Sequence, residues 1–393
     1  MKVALISTSA RLDDAVGKYT FYLARTLATV SNSKVDVVLA GPMSPEFSTE
    51  KVRLIHFETL SRRIARRIID LLPASFANVA RFRFRGWGLR SVKLLAQEIS
   101  SAELVWDVFA SSSIVHRIPL EMRGQAQPTF VFDYHGITSP ELVDPPLSTE
   151  LRESIEELKK CAPNSDHYVV HSKFMAEELA ARTGITKNVD VIGLFCDPEL
   201  IAENRKALKL SDRFVILFVG RASKHKGIDT LIQALKIVRE RKVDACVVIA
   251  GNSVPTDRTV QQMNHLAKEL GVSEHLFWLG NLNMSKLREA YATADVLVLP
   301  SRHEGFGLPA IEAMWCDIPV IVSTAGALPE VVGNGALVFK TNDCQDLAEK
   351  IILLHENAEI RHRTLEAART IRESYTLEKF AENVREICEK RLL

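Results

Sequence analysis

Hydrophobic and polar positions divide the chain into two long runs of strand and helix patterns. Short segments rich in Val, Ile and Leu alternate with longer segments whose apolar residues recur at helical spacing. The predicted strands of the first run are Val3–Ser7, Val35–Ala40, Val52–Phe57, Leu104–Ala110, Thr129–Asp133, Tyr168–His171 and Val189–Ile192. The predicted strands of the second run are Phe214–Gly220, Ala245–Ala250, Leu276–Leu279, Val296–Pro300, Val320–Ser323 and Ala336–Phe339.

Helical patterns fill the spaces between these strands. They are Gly17–Val30, Thr149–Cys161 and Lys173–Thr183 in the first run, and Ile228–Arg241, Val260–Leu270, Ser285–Tyr291, Ala310–Trp315 and Gln345–His355 in the second. Continuous apolar strands separated by helices are typical of parallel sheets covered on both faces. We therefore predict an α/β protein with two Rossmann-like, doubly wound domains, whose ligands bind at the carboxyl ends of the strands.

The boundary between the two domains is predicted in the polar stretch before Phe214, where the hydrophobic periodicity stops. The expected division is a first domain over 1–195, a linker over 196–213 and a second domain over 214–375. The last segment, 376–393, is amphipathic and is expected to form a separate helix.

Length, composition and charge indicate a globular protein without an obvious nucleic-acid partner. The chain has 393 residues, a length suited to two domains, and 50 Lys plus Arg residues balance 49 Asp plus Glu residues. Six cysteines lie far apart without a C-x-x-C pair, which excludes a disulfide scaffold and a zinc ribbon. The first apolar run is too short for a signal peptide and no run is long enough to cross a bilayer, so we expect a cytoplasmic protein.

The most informative window is Leu299–Met314, where a buried strand leads through a glycine loop into a helix. Pro309 stands in the first turn of that helix, so backbone N–H groups around it can face an anion. Glu304 in the loop and Glu312 on the helix can accept hydrogen bonds from adjacent hydroxyls, such as those of ribose. The structural alternative is an ordinary helix cap beside two solvated glutamates.

A second window, Phe218–Gly227, places two cations at the end of another buried strand. Arg221 follows the strand and Lys226 precedes the next helix. Such a pair suits a pyrophosphate, because Arg can bind two oxygens and Lys acts as a point charge. If the pyrophosphate is a leaving group, both charges also stabilise the transition state. The alternative is an exposed basic loop without a ligand.

In order and spacing, these windows resemble the retaining glycosyltransferases of family 4, which have the GT-B fold. The resemblance rests on E-G-F-G-L-P-A-I-E-A-M from Glu304, on G-R-x-x-x-x-K-G over 220–227 and on G-x-x-P-E-V-V over 326–332. It is dense over about 214–340 and weaker elsewhere. It implies two domains facing a central cleft, a C-terminal helix that crosses back to the first domain, and an enzyme without a metal requirement.

The resemblance also implies roles for individual residues. The donor, a UDP- or GDP-sugar, would be bound through its diphosphate by Arg221 and Lys226 and through its ribose by Glu312. Glu304 would contact the transferred hexose. Backbone amides would support the sugar and phosphate at Gly305, Phe306, Gly307 and Leu308. The chain contains no D-x-D metal motif, which agrees with a metal-free transferase.

The first half of the chain matches this family less well. The glycine pair that the family has after the first strand is reduced to Gly17, which weakens the case for backbone contacts to the donor from that loop. The segment around His135 resembles the place of an active-site histidine, so His135 is a candidate catalytic residue beside Glu304, Arg221 and Lys226. A structural histidine is the equally open alternative.

Residues 51–100 carry 11 basic and 3 acidic residues, a net charge of +8. Within this block, 62–90 contains four arginines beside aliphatic residues at helical spacing, followed by arginines that alternate with aromatic residues over 81–87. This pattern is compatible with contact to an anionic membrane surface or a phosphate-bearing acceptor, which would make the protein peripheral on the inner face of a membrane. The alternative is a solvated face that packs on the first domain.

Two other functions remain open from the sequence. The spacing of Gly305, Gly307 and Ala310 formally meets a dinucleotide fingerprint, which would suit an NAD-dependent oxidoreductase. A non-catalytic sugar-nucleotide-binding partner is the third hypothesis, although both glutamates and both cations are retained. The donor base, the sugar, the acceptor and the oligomeric state are not determined by these patterns.

Overall fold

The computed structural model describes residues 1–9, 15–39, 51–56, 92–111, 113–122, 128–201, 213–254 and 256–392. The predicted basic block over 62–90 lies outside these residues. The described strands form two separate parallel sheets, and this confirms the predicted α/β class with two Rossmann-like domains.

The first sheet has the strand order β3-β2-β1-β4-β5-β6-β7, and all its pairs are parallel. Its strands are β1 Val3–Ser7, β2 Val35–Leu39, β3 Val52–His56, β4 Leu104–Phe109, β5 Thr129–Tyr134, β6 His167–Val170 and β7 Val189–Val191. Its helices are α1 Ala15–Ser31, α2 Ile118–Met122, α3 Leu147–Cys161 and α4 Lys173–Thr183, followed by the short α5 Pro198–Ile201. A further helical stretch covers 92–98.

The second sheet has the order β10-β9-β8-β11-β12-β13 and is also parallel. Its strands are β8 Phe214–Val219, β9 Ala245–Ala250, β10 Leu276–Gly280, β11 Val296–Leu299, β12 Val320–Ser323 and β13 Leu337–Phe339. Its helices are α6 Ile228–Glu240, α7 Arg258–Glu269, α8 Met284–Thr293, α9 Leu308–Trp315, α10 Leu328–Val332, α11 Cys344–Glu356 and α12 Ala358–Arg372.

Helix α12 was not predicted from the sequence. Thr364 and Ala368 are its buried residues, so its apolar stripe is too thin to be recognised by periodicity. Tertiary contacts hold it instead. Arg369 Nε and Arg372 Nη1 each donate to Asp317 Oδ1 at 3.0 Å. Asp317 has a positive φ of 53°, a left-handed conformation that Asp adopts more readily than most residues.

The final helix, α13 Leu377–Leu392, packs against α1 of the first sheet. Phe380 is 1% exposed, and its ring centroid lies 5.3 Å from that of Tyr19 and 4.8 Å from that of Phe195. The chain thus leaves the second sheet and returns to the core of the first. None of the helices in the described part of the chain has the length and apolarity that a bilayer crossing needs.

Candidate active site in the cleft between the two sheets

The candidate donor site lies where two neighbouring strands of the second sheet end. Strand β8 ends at Val219 and β11 ends at Leu299, and the two strands are adjacent in the sheet. Their carboxyl ends share one edge, so the loops that follow them meet. At Gly227, whose φ is 69°, a Cβ would lie only 1.9 Å from the carbonyl oxygen of Pro300. A glycine is therefore required where these loops touch.

An ion pair joins the two loops. Lys226 Nζ donates to Glu304 Oε2 at 2.7 Å, and Ser301 Oγ donates to the same oxygen at 3.1 Å. Arg221 belongs to the same loop as Lys226 and is exposed. The sheet edge thus brings together both predicted phosphate-binding cations and the predicted sugar-binding carboxylate.

Glu312 projects from α9 into a partly buried setting. Tyr291 donates its hydroxyl hydrogen to Glu312 Oε2 at 2.6 Å. Burial raises the pKa of the Glu312 carboxyl above its ordinary value of 4.5, while the Tyr291 bond and the positive charge of Lys18 oppose that rise. Lys18, which comes from α1 of the first sheet, forms an ion pair with Asp197. Residues of both domains therefore influence this carboxylate.

The glycine loop before α9 packs directly against the first domain. The Gly305 carbonyl oxygen accepts a hydrogen bond from Ser172 Oγ at 2.8 Å, and a Cβ on Gly305 would lie 2.4 Å from Met175 Cε. Gly307 is the residue before α9 and has a φ of 95°. The positive φ of Gly307 favours glycine there, whereas a Cβ at Gly305 would require only that the flexible end of Met175 move.

Phe306 and Leu308 flank Gly307 and are held by packing. Phe306 is 4% exposed, and its ring meets that of Tyr375 edge to face with centroids 5.4 Å apart. Leu308 is partly buried and begins α9. Since these side chains pack into the protein, a ligand contact from either residue would have to come from its backbone, as the sequence predicted.

Further polar contacts join the two domains around α4. The Glu330 carboxylate accepts hydrogen bonds from the backbone N–H groups of Lys173 at 2.6 Å and Phe174 at 3.3 Å. His303 Nε2 lies 3.0 Å from Glu178 Oε1. An acidic side chain at a helix N-terminus meets unpaired N–H groups and the positive end of the helix dipole. Glu330, carried by the second domain, therefore caps a helix of the first.

His135 lies on the first-domain side, just after β5, and belongs to a buried polar cluster. Its Nε2 is 3.2 Å from His171 Nε2 and 3.4 Å from Asp133 Oδ1, while His171 Nε2 is 3.0 Å from the same oxygen. Asp133 Oδ2 accepts from Tyr19 Oη at 2.6 Å and Trp106 Nε1 at 2.8 Å. Within the described ranges, Asp133, His135 and His171 form a group that could hold a metal ion.

The electrostatics of this cluster follow from its burial. Burial alone would raise the pKa of Asp133, but the facing rings of His135 and His171 hold it well below its usual range. Burial also lowers the pKa of His135, and the charge of His171 lowers it further against the opposing effect of Asp133. These shifts favour a neutral His135 ring beside an ionised carboxylate.

The structure places Gly17 inside the first turn of α1, where it is buried. Gly17 is thus part of a helix and not of an open loop. Lys18, the next residue, reaches Asp197 in the cleft. No sequence pattern points to Lys18, Asp197 or Tyr291, because a lone Lys, Asp or Tyr carries no spacing signal.

Comparison with solved structures places the fold among GT-B glycosyltransferases. HepE of Anabaena, solved in complex with UDP and glucose, superposes with a TM-score of 0.71 over 99% of both chains at 17% sequence identity. At this identity the likeness shows the two-domain fold alone.

Sequence comparisons concentrate on the second domain. Residues 201–371 match the family model described as Glycosyl transferases group 1. An uncharacterized glycosyltransferase of Methanocaldococcus jannaschii is 40% identical over 134 residues, 33% of each chain. The GDP-mannose-dependent alpha-(1-6)-phosphatidylinositol monomannoside mannosyltransferase of Mycolicibacterium smegmatis is 34% identical over 163 residues, 40% of this chain and 42% of that protein. The chain thus spans about a third to two fifths of the length of these relatives.

Proposed function

We propose that this chain is a retaining glycosyltransferase that transfers a hexosyl group from a UDP- or GDP-sugar to an acceptor hydroxyl. The proposal is carried by the ion pair of Lys226 with Glu304, which joins the loops after β8 and β11. Arg221 lies in the first of these loops, and Glu312 lies on α9, the helix that follows the second. All four belong to the segment that matches the glycosyltransferase family model. Two cations beside two carboxylates supply groups for a diphosphate, a sugar and a ribose.

Arg221 and Lys226 bind the donor diphosphate. Negative charge grows on the phosphate oxygen as the bond to the anomeric carbon breaks, so fixed cations stabilise the transition state more than the ground state. Two side-chain charges supply this stabilisation without a metal ion at the diphosphate. The 2.7 Å contact of Lys226 with Glu304 supports the proposal that the carboxylate contacting the sugar lies next to the leaving group.

Glu312 accepts hydrogen bonds from the ribose hydroxyls, and Glu304 accepts them from the transferred hexose. The backbone of Gly305–Leu308 lines the sugar and phosphate at the N-terminus of α9. The acceptor hydroxyl attacks the anomeric carbon from the face that the phosphate leaves. The leaving phosphate oxygen takes the hydroxyl proton, and the configuration is retained.

The first domain supplies the acceptor side. His135 follows the carboxyl end of β5 and is 10% exposed, and it is proposed to contact the sugar or the acceptor. Gly17 lies in the first turn of α1, so its contact with the donor is proposed through the helix backbone. One relative is named for a GDP-mannose donor and a phosphatidylinositol mannoside, and a structural neighbour holds UDP and glucose, so both donor bases stay in the proposal.

We also propose a cytoplasmic protein that is peripheral on the inner face of a membrane through residues 62–90. The support is the net charge of +8 over residues 51–100, together with the phosphatidylinositol mannoside named for one relative. No contact among the described residues favours an NAD-dependent oxidoreductase over the transferase. A non-catalytic binding partner would share the donor site, so turnover separates it from the transferase.

The deciding experiment measures nucleotide binding by calorimetry with UDP, GDP, ADP and NAD. We expect one nucleoside diphosphate to bind, and Lys226→Ala and Glu312→Ala each to weaken it by about 1.5–3 kcal/mol, the range for hydrogen bonds to charged groups. Transfer from the corresponding nucleotide sugar then tests activity. The anomeric configuration of the product, read by NMR, tests retention.

Matched controls are Lys236→Ala and Glu349→Ala. Lys236 pairs with Glu240 on the exposed face of α6, and Glu349 is an exposed residue of α11. Both controls should bind the nucleotide like the parent protein. The proposal fails if NAD alone binds, or if the folded parent protein binds none of the four nucleotides.

A further inference from the structure

A triangle of three potential ligand atoms lies at the carboxyl ends of β5 and β6. His171 Nε2, His135 Nε2 and Asp133 Oδ1 are separated by 3.2, 3.4 and 3.0 Å. The side chains of Asp133 and His171 are fully buried, and that of His135 is 10% exposed. Asp133 and His135 are two residues apart in sequence, and the pairing of the adjacent parallel strands β5 and β6 brings His171 next to them.

The hydrogen bonds around this triangle direct lone pairs into it. His171 Nδ1 donates its hydrogen to the carbonyl oxygen of Ile192 at 3.0 Å, so a neutral His171 ring carries its lone pair on Nε2. Asp133 Oδ1 is buried, and among the described residues it faces no donor other than the rings of His135 and His171, whose own Nε2 atoms meet at 3.2 Å. A buried carboxylate oxygen without a donor is costly, unless a cation satisfies it.

The dimensions of the triangle match those of a metal site. Zinc binds imidazole nitrogen at about 2.0–2.1 Å and carboxylate oxygen at about 2.0–2.2 Å. At octahedral or tetrahedral angles, these bond lengths place ligand atoms about 2.8–3.6 Å apart. All three observed separations fall in this range.

The triangle residues are hydrogen-bonded to the kinds of partner that orient the ligands of metal sites. Tyr19 and Trp106 both donate to Asp133 Oδ2, and the Ile192 carbonyl oxygen accepts from His171 Nδ1. Such partners hold metal ligands in position and set the tautomer of a ligating histidine. They leave Asp133 Oδ1 and His171 Nε2 directed towards a common centre.

We propose that Asp133, His135 and His171 bind one divalent transition-metal cation of the zinc class. Two imidazoles and one carboxylate suit such an ion, and three protein ligands leave a position for water or a substrate oxygen. The partly exposed His135 places that position on the cleft side. The site lies in the first sheet, apart from the diphosphate cations Arg221 and Lys226, so the proposal does not depend on glycosyl transfer.

The test uses the full chain stripped with a chelator and then titrated with Zn²⁺ and Co²⁺. We expect one ion per chain and a Co²⁺ absorption spectrum of nitrogen and oxygen ligation. His135→Asn and His171→Asn should each lower Zn²⁺ affinity at least about 100-fold, and Tyr19→Phe about 10–100-fold, the range for a residue that orients a ligand. Thermal unfolding checks that each variant is folded.

The matched control is His265→Asn, because His265 is an exposed histidine beside Glu269 and represents a surface site. It should leave the Zn²⁺ affinity unchanged. If His171→Asn does not fold, the Co²⁺ spectrum of the parent protein and the Zn²⁺ titration of His135→Asn still test whether the three residues bind a metal ion. The proposal is overturned if the folded parent protein does not bind about one Zn²⁺ ion per chain. The three side chains would then share a proton instead of a metal ion. Equal losses in the triangle variants and in His265→Asn would also overturn it.

Discussion

At the scale of single residues, Glu312 shows how a site residue is tuned by neighbours that are distant in sequence. Its position eight residues after Glu304 can be read from the sequence, but its surroundings cannot. Tyr291 comes from α8 and Lys18 from α1, and both lower the pKa of the carboxyl that burial raises. A carboxylate with a raised pKa takes up a proton more readily than an exposed one, and a protonated carboxyl accepts fewer hydrogen bonds from ribose.

This gives a pH dependence for donor binding. Affinity for the nucleoside diphosphate should fall as the pH is lowered through the Glu312 pKa, with a midpoint above 4.5. Tyr291→Phe removes a bond that stabilises the carboxylate, so the midpoint should move to higher pH. Calorimetry over a pH series measures this midpoint in both proteins. Tyr168→Phe is the control, because the Tyr168 hydroxyl bonds backbone carbonyls in the first domain. A midpoint that stays unchanged in Tyr291→Phe would contradict this interpretation.

At the scale of elements, the apolar spacing of α13 indicated a helix, and its apolar face now has a known partner. Phe380, Val384 and Ile387 lie in the core cluster that contains residues of α1 and β1. By contrast, α12 gave too little apolar signal for prediction and is held partly by arginines that bind Asp317. Periodicity therefore detects helices that bury an apolar face and misses those held mainly by polar contacts.

Phe380→Ala tests whether α13 stabilises the first domain. The substitution removes a ring with 1% exposure from contact with Tyr19 and Phe195, and a buried Phe→Ala change costs about 3–5 kcal/mol. Denaturant unfolding followed by fluorescence should show this loss. Leu94→Ala, at a residue that is 64% exposed, should change the free energy of unfolding by less than about 0.5 kcal/mol. Similar small effects of both changes would mean that α13 is only loosely attached.

At the scale of the whole molecule, α4 links the two domains. Ser172 binds the Gly305 carbonyl, Glu330 caps the N-terminus of α4, and His303 meets Glu178. Burial tends to raise the pKa of Glu178, but His303 and Arg182 lower it below the ordinary value. The glycine loop of the candidate donor site is thus positioned by side chains of the opposite domain.

Glu330→Ala should loosen the contact between the domains. It removes two hydrogen bonds to a charged acceptor, each worth about 1.5–3 kcal/mol, while the N-cap bond of Ser172 to Met175 N–H stays in place. Small-angle scattering should show a larger radius of gyration, while circular dichroism should show retained secondary structure. Glu366→Ala, at an exposed position of α12, is the control. An unchanged radius of gyration would show that the cap does not hold the domains together.

The sequence by itself determined the two parallel sheets and most helices, because these depend on periodicity, and it named Arg221, Lys226, Glu304 and Glu312 as candidates through spacing within single loops. Only the tertiary structure decided which residues meet across elements. The contact of Lys226 with Glu304 arises because β8 and β11 are adjacent, and the triangle of Asp133, His135 and His171 arises because β5 and β6 are adjacent. Contacts of this kind depend on strand order, on which local hydrophobic spacing carries no information.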